Sequence, residues 1–143
     1  MAPTGKQGWQ YQVLHLERFG NSHGIYRAMS WWQEQVGVLA WQHFTRQPLA
    51  TAYGLYLPSW CPIVHTWGVQ GALDVVWLDA DHHVLTITHA LMPWRVSQWV
   101  WQAHRGVIEY PAGWLMHHGY TESRLRQCKV SFTPHHAMLP PVT

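Results

Sequence analysis

The chain has 143 residues, 48 % of them apolar and only 11 % charged, with a formal net charge of +2. That length fits one domain with its own hydrophobic core, and so small a charge with no basic run argues against nucleic acid as a partner. No uninterrupted apolar run approaches the ~20 residues of a membrane span, and no apolar leader follows Met1, so a soluble cytoplasmic protein is expected.

Residues 1–10, with Pro3, Gly5 and Gly8, read as a loose terminus. Tyr11 to Phe19 alternates imperfectly and predicts a strand, followed by a turn at Gly20-Asn21-Ser22 and a short strand from Gly24 to Arg27. Ser30 reads as the N-cap of a short helix near 31–37 that Gly37 ends. His43 to Pro48 reads as a loop and Ala52 to Leu57 as a strand, and Pro58 and Pro62 frame an irregular corner.

The centre of the chain is a predicted hairpin. Residues 72–78 and 84–88 are rich in β-branched and aromatic side chains, and the short polar segment Asp79-Ala80-Asp81-His82-His83 joins them. Pro93 ends the second strand, and residues 96–104 fit both a helical and an alternating pattern and read as loop. Gly106 to Tyr110 predicts a strand, and Pro111-Ala112-Gly113 opens a helix over Trp114–His118 that Gly119 closes. Leu125 to Phe132 is the last expected strand, before a proline-rich tail over 133–143. One β-rich domain over 11–132 is therefore expected.

Four segments, in order, resemble a known family. They are Arg27 to Leu39, Thr66-Trp67-Gly68-Val69 through Asp74, Val75 to Val84, and Ile108-Glu109-Tyr110-Pro111-Ala112-Gly113. Together they are similar to the domain-of-unknown-function 192 family of small bacterial and archaeal proteins. Ala72 stands where that family usually has proline, and His82-His83 where it has glycine and a polar residue. The resemblance implies a mainly β, single compact domain of sandwich or small-barrel type with two short helices. It implies no catalytic residue.

Candidate chemistry is sparse. Asp74 and Glu109 sit in apolar strand contexts, where a carboxylate must be paired or hydrogen-bonded. Each could serve a ligand or acid–base site, or be held structurally by backbone N–H groups or an arginine such as Arg95 or Arg105. The pairs His82-His83, His117-His118 and His135-His136 are adjacent, and neighbours in a strand face opposite ways, so no zinc site is expected. Ser30, Ser59 and Ser97 lack a nucleophile elbow. Cys61 and Cys128 read as free thiols, although one disulfide is open.

The two outlying counts are 11 Trp and 12 His. One small core cannot hide every indole, so some should line a cleft or patch. The expected function is a non-enzymatic binding or accessory module that uses His65, Trp67 and Trp94, with Asp74 and Glu109, to hold a protein partner or small ligand. The alternative is a hydrolase or other acid–base enzyme using Asp74, Glu109 and a histidine. No cofactor is expected. The histidines should lower stability in mild acid as they gain charge.

Overall fold

The computed structural model describes residues 9–17, 20–30, 34, 37 and 54–134. Its strands are β1 (Gln10–Leu16), β2 (Asn21–Arg27), β3 (Gly54–Leu57), β4 (Leu73–Leu78), β5 (Val84–Leu91), β6 (Val107–Pro111) and β7 (Val130–Pro134). Two short helices, α1 (Trp114–His117) and α2 (Glu122–Leu125), lie between β6 and β7. The strands form one seven-stranded sheet in the order β5-β4-β6-β3-β2-β1-β7. Neighbours are antiparallel except β2 and β3, where Tyr26 lies beside Leu55 in parallel register.

The expected hairpin is β4–β5, with Val76 opposite Ile87 and Trp77 opposite Thr86. Its tip is held by the Asp79 side chain, whose Oδ1 accepts the N–H groups of Asp81 at 2.8 Å and His83 at 2.9 Å. An acceptor at the head of a turn does this routinely. The sheet is not closed into a barrel, but its two edges meet at one end. There Val84 N–H donates to Cys128 O at 2.9 Å, Gln127 N–H to Val84 O at 2.8 Å, and Val130 N–H to His82 O at 2.9 Å.

Both faces of the sheet are covered, and β4 shows it, since all 6 of its residues are buried. Alternation sends Leu73, Val75 and Trp77 to one face and Val76 and Leu78 to the other. The inner face packs Leu14, Ile25, Val76 and Ile108 against Trp114 and Leu115 of α1 and Leu125 of α2. The outer face packs Tyr26, Leu55, Val75, Trp77 and Val107 against Val64, Val69, Val100 and Ala103, which come from loops 58–72 and 92–106. Gly106 is where that covering chain turns back into the sheet. Its φ is +82°, and a Cβ there would lie 1.8 Å from Leu57 O, so only glycine fits.

The mainly β domain with short helices is as the sequence implies, with local corrections. The helix expected near 31–37 falls almost wholly outside the described residues. Asn21 and Ser22 belong to β2 rather than to a turn. Pro111 is the last residue of β6, not a helix opener, and Gly113 at φ +90° is the N-cap of α1. Leu125 does not begin a strand. It ends α2, whose N-cap Thr121 accepts Arg124 N–H at 3.4 Å, and β7 starts only at Val130. A Thr cap that begins a helical turn outweighs the alternation in Leu125–Phe132.

Candidate functional site

Loops 58–72 and 92–106 run alongside each other as an irregular ribbon over the outer face. Cys61 N–H donates to Ala103 O at 3.2 Å, Val100 N–H to Pro62 O at 2.7 Å, Ser97 N–H to Val64 O at 2.8 Å, and Thr66 N–H to Arg95 O at 2.9 Å. His65 and Val96 form an isolated bridge in the same ribbon. The backbone polarity is thus largely satisfied internally, and the side chains sort by face. Small residues go in: Val64, Thr66, Val100 and Ala103 are buried. The indoles go out. Trp60 is 50 % exposed, Trp101 58 %, Trp99 59 % and Trp94 66 %.

Three of these rings form a stack. Trp60 and Trp101 have centroids 5.6 Å apart, Trp101 and Trp99 5.3 Å, with interplanar angles of 27° and 21°. The Trp60 Nε1–H donates to Trp101 O at 3.0 Å, which fixes the first ring against the backbone that carries the second. Next along the ribbon, His65 and Trp67 lie 5.1 Å apart. Trp94 follows with φ +61°, a left-handed conformation that a bulky side chain rarely adopts.

Thr66 holds this conformation. It is fully buried, its Oγ1 donates to Met92 O at 2.6 Å and accepts Arg95 N–H at 2.9 Å, and its own carbonyl accepts Trp94 N–H at 3.1 Å. Thr66→Val keeps the shape and leaves Met92 O and Arg95 N–H without that partner. A loss of about 2 kcal/mol is expected in urea unfolding, with a change in tryptophan emission before the main transition as the Trp94 turn loosens.

The sequence-predicted residues therefore divide. His65, Trp67 and Trp94 come together on the ribbon around Thr66. Trp60, Trp99 and Trp101 extend the same surface, and the inward Val64 and Val100 beside outward His65 and Trp101 were the signal for it. Trp77 and Trp114 go to the core instead, with Trp77 Nε1–H donating to Thr88 Oγ1 at 3.1 Å.

Asp74 and Glu109 are not brought together. β4 and β6 pair Val75 with Glu109 and Asp74 with Tyr110, and cross-strand partners share a face. Glu109 thus belongs to the outer face with Val75, and Asp74 to the inner face with Tyr110. Asp74 is buried, and its Oδ1 accepts Ala90 N–H at 2.9 Å while Oδ2 accepts Gly113 N–H at 3.0 Å. Glu109 is also buried, and its Oε1 has no partner among the described residues. Burial lifts its carboxyl to about 7. Burial, with Glu109 nearby, also pushes the Cys61 thiol up to about 12, so the neutral thiol is held. Cys61 and Cys128 are both free.

Two further groups are visible only in three dimensions. His23, on β2, lies inside the curl, with Nε2 2.7 Å from Tyr110 Oη and its ring 4.7 Å from Trp114. Burial, with a smaller contribution from His118, pushes it down to about 3 and keeps it neutral. The cavity beside it is about 10 Å³, room for one water at most. Asp79, Asp81 and His83 at the hairpin tip bring their ligand-type atoms within 4.8 Å of one another. Asp79 Oδ1 already serves the turn there.

No helix among the described residues is long and apolar enough to cross a membrane. No curated protein matches the chain. Two solved structures share the fold. One, titled a "putative transcription regulator", comes from Sinorhizobium meliloti, is 14 % identical and superposes with a TM-score of 0.61 over 87 % of this chain and 94 % of its own. The other, a protein of unknown function from Novosphingobium aromaticivorans, is also 14 % identical, with a TM-score of 0.60 over 86 % of this chain and 84 % of its own. At that identity the likeness concerns the fold alone. The family model described as "Uncharacterized ACR" matches residues 18–125. That is three quarters of the sequence and includes β2 to β6, so the chain belongs to the domain-of-unknown-function 192 family.

Proposed function

We propose that this protein is a non-enzymatic binding module and that the ribbon over the outer face is its binding surface. The observation that carries the reading is the stack Trp60–Trp101–Trp99, held in place and at least half exposed. Ordered apolar area on this scale at a surface marks an interaction site, and an indole is a large, rigid contact that loses little entropy on binding. The strained backbone at Trp94 supports the same reading, because strain is retained where it positions a group for use. The partner is a protein surface or a ligand with apolar area to cover. The free Cys61 and Cys128 support a cytoplasmic setting, where thiols stay reduced.

The opposite placement of Asp74 and Glu109 favours this reading over a two-carboxylate acid–base site, which needs both groups in one cleft. The test is retention on a phenyl-substituted resin, compared with a W60S/W99S/W101S variant. The wild type should be retained and the variant should pass through, with matching circular dichroism spectra. Equal elution of the two would sink the proposal.

A further inference from the structure

We infer that the tryptophan ribbon docks on an anionic lipid surface, lying against it without crossing it. This rests on the ribbon being the binding surface, and it names the partner from three observations.

The first is charge. Residues 58–72 and 92–106 contain no Asp or Glu, while they carry Arg95, Arg105, His65 and His104, all exposed. Glu34 is engaged at one end of the ribbon, where its carboxylate accepts both the N–H of Ser59 at 2.7 Å and its hydroxyl at 2.8 Å, and the Arg105 Nε–H donates to Ala80 O at 3.2 Å in the hairpin tip, between Asp79 and Asp81. A second copy of the same surface would set arginine against arginine, so the complementary partner is negative.

The second is ring geometry. The three indoles stack on one another at 5.3–5.6 Å, so the middle ring, Trp101, has a neighbour on each side. A nucleic acid strand needs free faces for its bases. An interfacial layer needs only apolar edge and area, and indole is a side chain that settles at the headgroup level.

The third is what stands beside the indoles. Met92 and Val96 are exposed on the same ribbon and are purely apolar. Aromatic and aliphatic side chains flanked by arginine make up the surface of a protein that lies in an anionic interface. Arg95 sets the larger electrostatic part, at roughly fivefold in partitioning, and Arg105, tied to the hairpin tip, adds less.

The test uses the whole chain and sedimented vesicles of phosphatidylcholine, with and without phosphatidylglycerol. Binding to the phosphatidylglycerol vesicles is expected, with tryptophan emission shifted to the blue and quenched by brominated lipid. R95Q/R105Q should weaken partitioning by roughly fivefold or more and, separately, W99S/W101S by roughly tenfold or more. Brominated-lipid quenching in the wild type tests the contact without relying on a variant that folds. Absence of vesicle binding overturns the inference, and equal partitioning to both vesicle types overturns its anionic part. Binding of a single-stranded oligonucleotide without vesicle binding, or a dimer dissolved by W99S/W101S without it, also overturns the inference. Retention on phenyl resin without vesicle binding removes the lipid partner and leaves the binding surface standing. Loss of both removes both.

Discussion

Replacing Asp74 by alanine should lower the unfolding free energy by about 3–5 kcal/mol, and replacing it by asparagine by about 1.5–3 kcal/mol. The carboxylate is buried within the sheet and accepts one backbone N–H on each oxygen. Both donors sit in left-handed backbone, Ala90 at φ +51° and Gly113 at φ +90°. Ala90 is near the end of β5 and Gly113 is the N-cap of α1, so one side chain ties a strand end to a helix start. Alanine removes the acceptor from two backbone donors at once. Asparagine keeps one acceptor oxygen and turns an amide NH₂ toward the other donor, which loses the charge-assisted bond and adds a clash of hydrogens. Urea melts at neutral pH measure both effects. An unchanged or raised midpoint for Asp74→Asn would mark the residue as one kept for chemistry at a cost in stability.

Glu109→Gln should act in the opposite direction. At pH 8 it should stabilise the fold by about 3 kcal/mol, while near pH 4 the two proteins should melt alike. The buried carboxyl titrates at about 7 in the folded protein and at its ordinary 4.5 once unfolded. Between those values the folded state holds a proton that the unfolded state has released. Its contribution is therefore complete below 4.5, falls as pH rises to 7 and is flat beyond. Glutamine is neutral throughout and removes that slope. His23 has the reverse linkage, because its folded value of about 3 lies below the usual 6.5, so stability is lost as pH falls from 6.5 toward 3. From 4.5 to 6.5 the two slopes, each about 1.4 kcal/mol per pH unit, oppose and nearly cancel. The wild-type profile should be level there with respect to these groups, and Glu109→Gln should uncover the acid-side loss due to His23. Thermal melts of both proteins from pH 4 to 8 decide it. A variant less stable at pH 8 would mean that the carboxylate is satisfied as an anion.

Local signals explain what the sequence made legible. The β4–β5 hairpin rests on neighbouring residues, alternation in both strands and an acceptor at the turn, so it could be read directly. The same holds for α1, which Gly119 ends at φ +79°. What escaped depends on distant partners. Nothing in Asn21-Ser22-His23-Gly24 announces a half-buried, desolvated histidine, because Tyr110, Trp114 and Tyr120 pack around it from the far end of the chain. Asp74 and Glu109 look alike in sequence, and only the β4–β6 register assigns them to opposite faces. The outward tryptophans were partly legible, since Val64-His65-Thr66-Trp67 alternates. Yet which set faces solvent is decided by the sheet beneath, whose outer face already carries Tyr26, Leu55, Val75 and Trp77 and takes Val64, Thr66, Val100 and Ala103 from the ribbon.

The pairing of β1 with β7 bears on how the chain is made. His15 and Thr133 sit side by side although they are 118 positions apart. On the ribosome β1 can zip to β2 at once, but its other edge must wait until almost the whole described chain has emerged. Through that interval a strand with buried-type residues at Leu14 and Leu16 shows bare N–H and C=O groups to its surroundings. Synthesis rate and chaperone supply, rather than final stability, should then govern how much of this protein reaches its native state when it is overproduced.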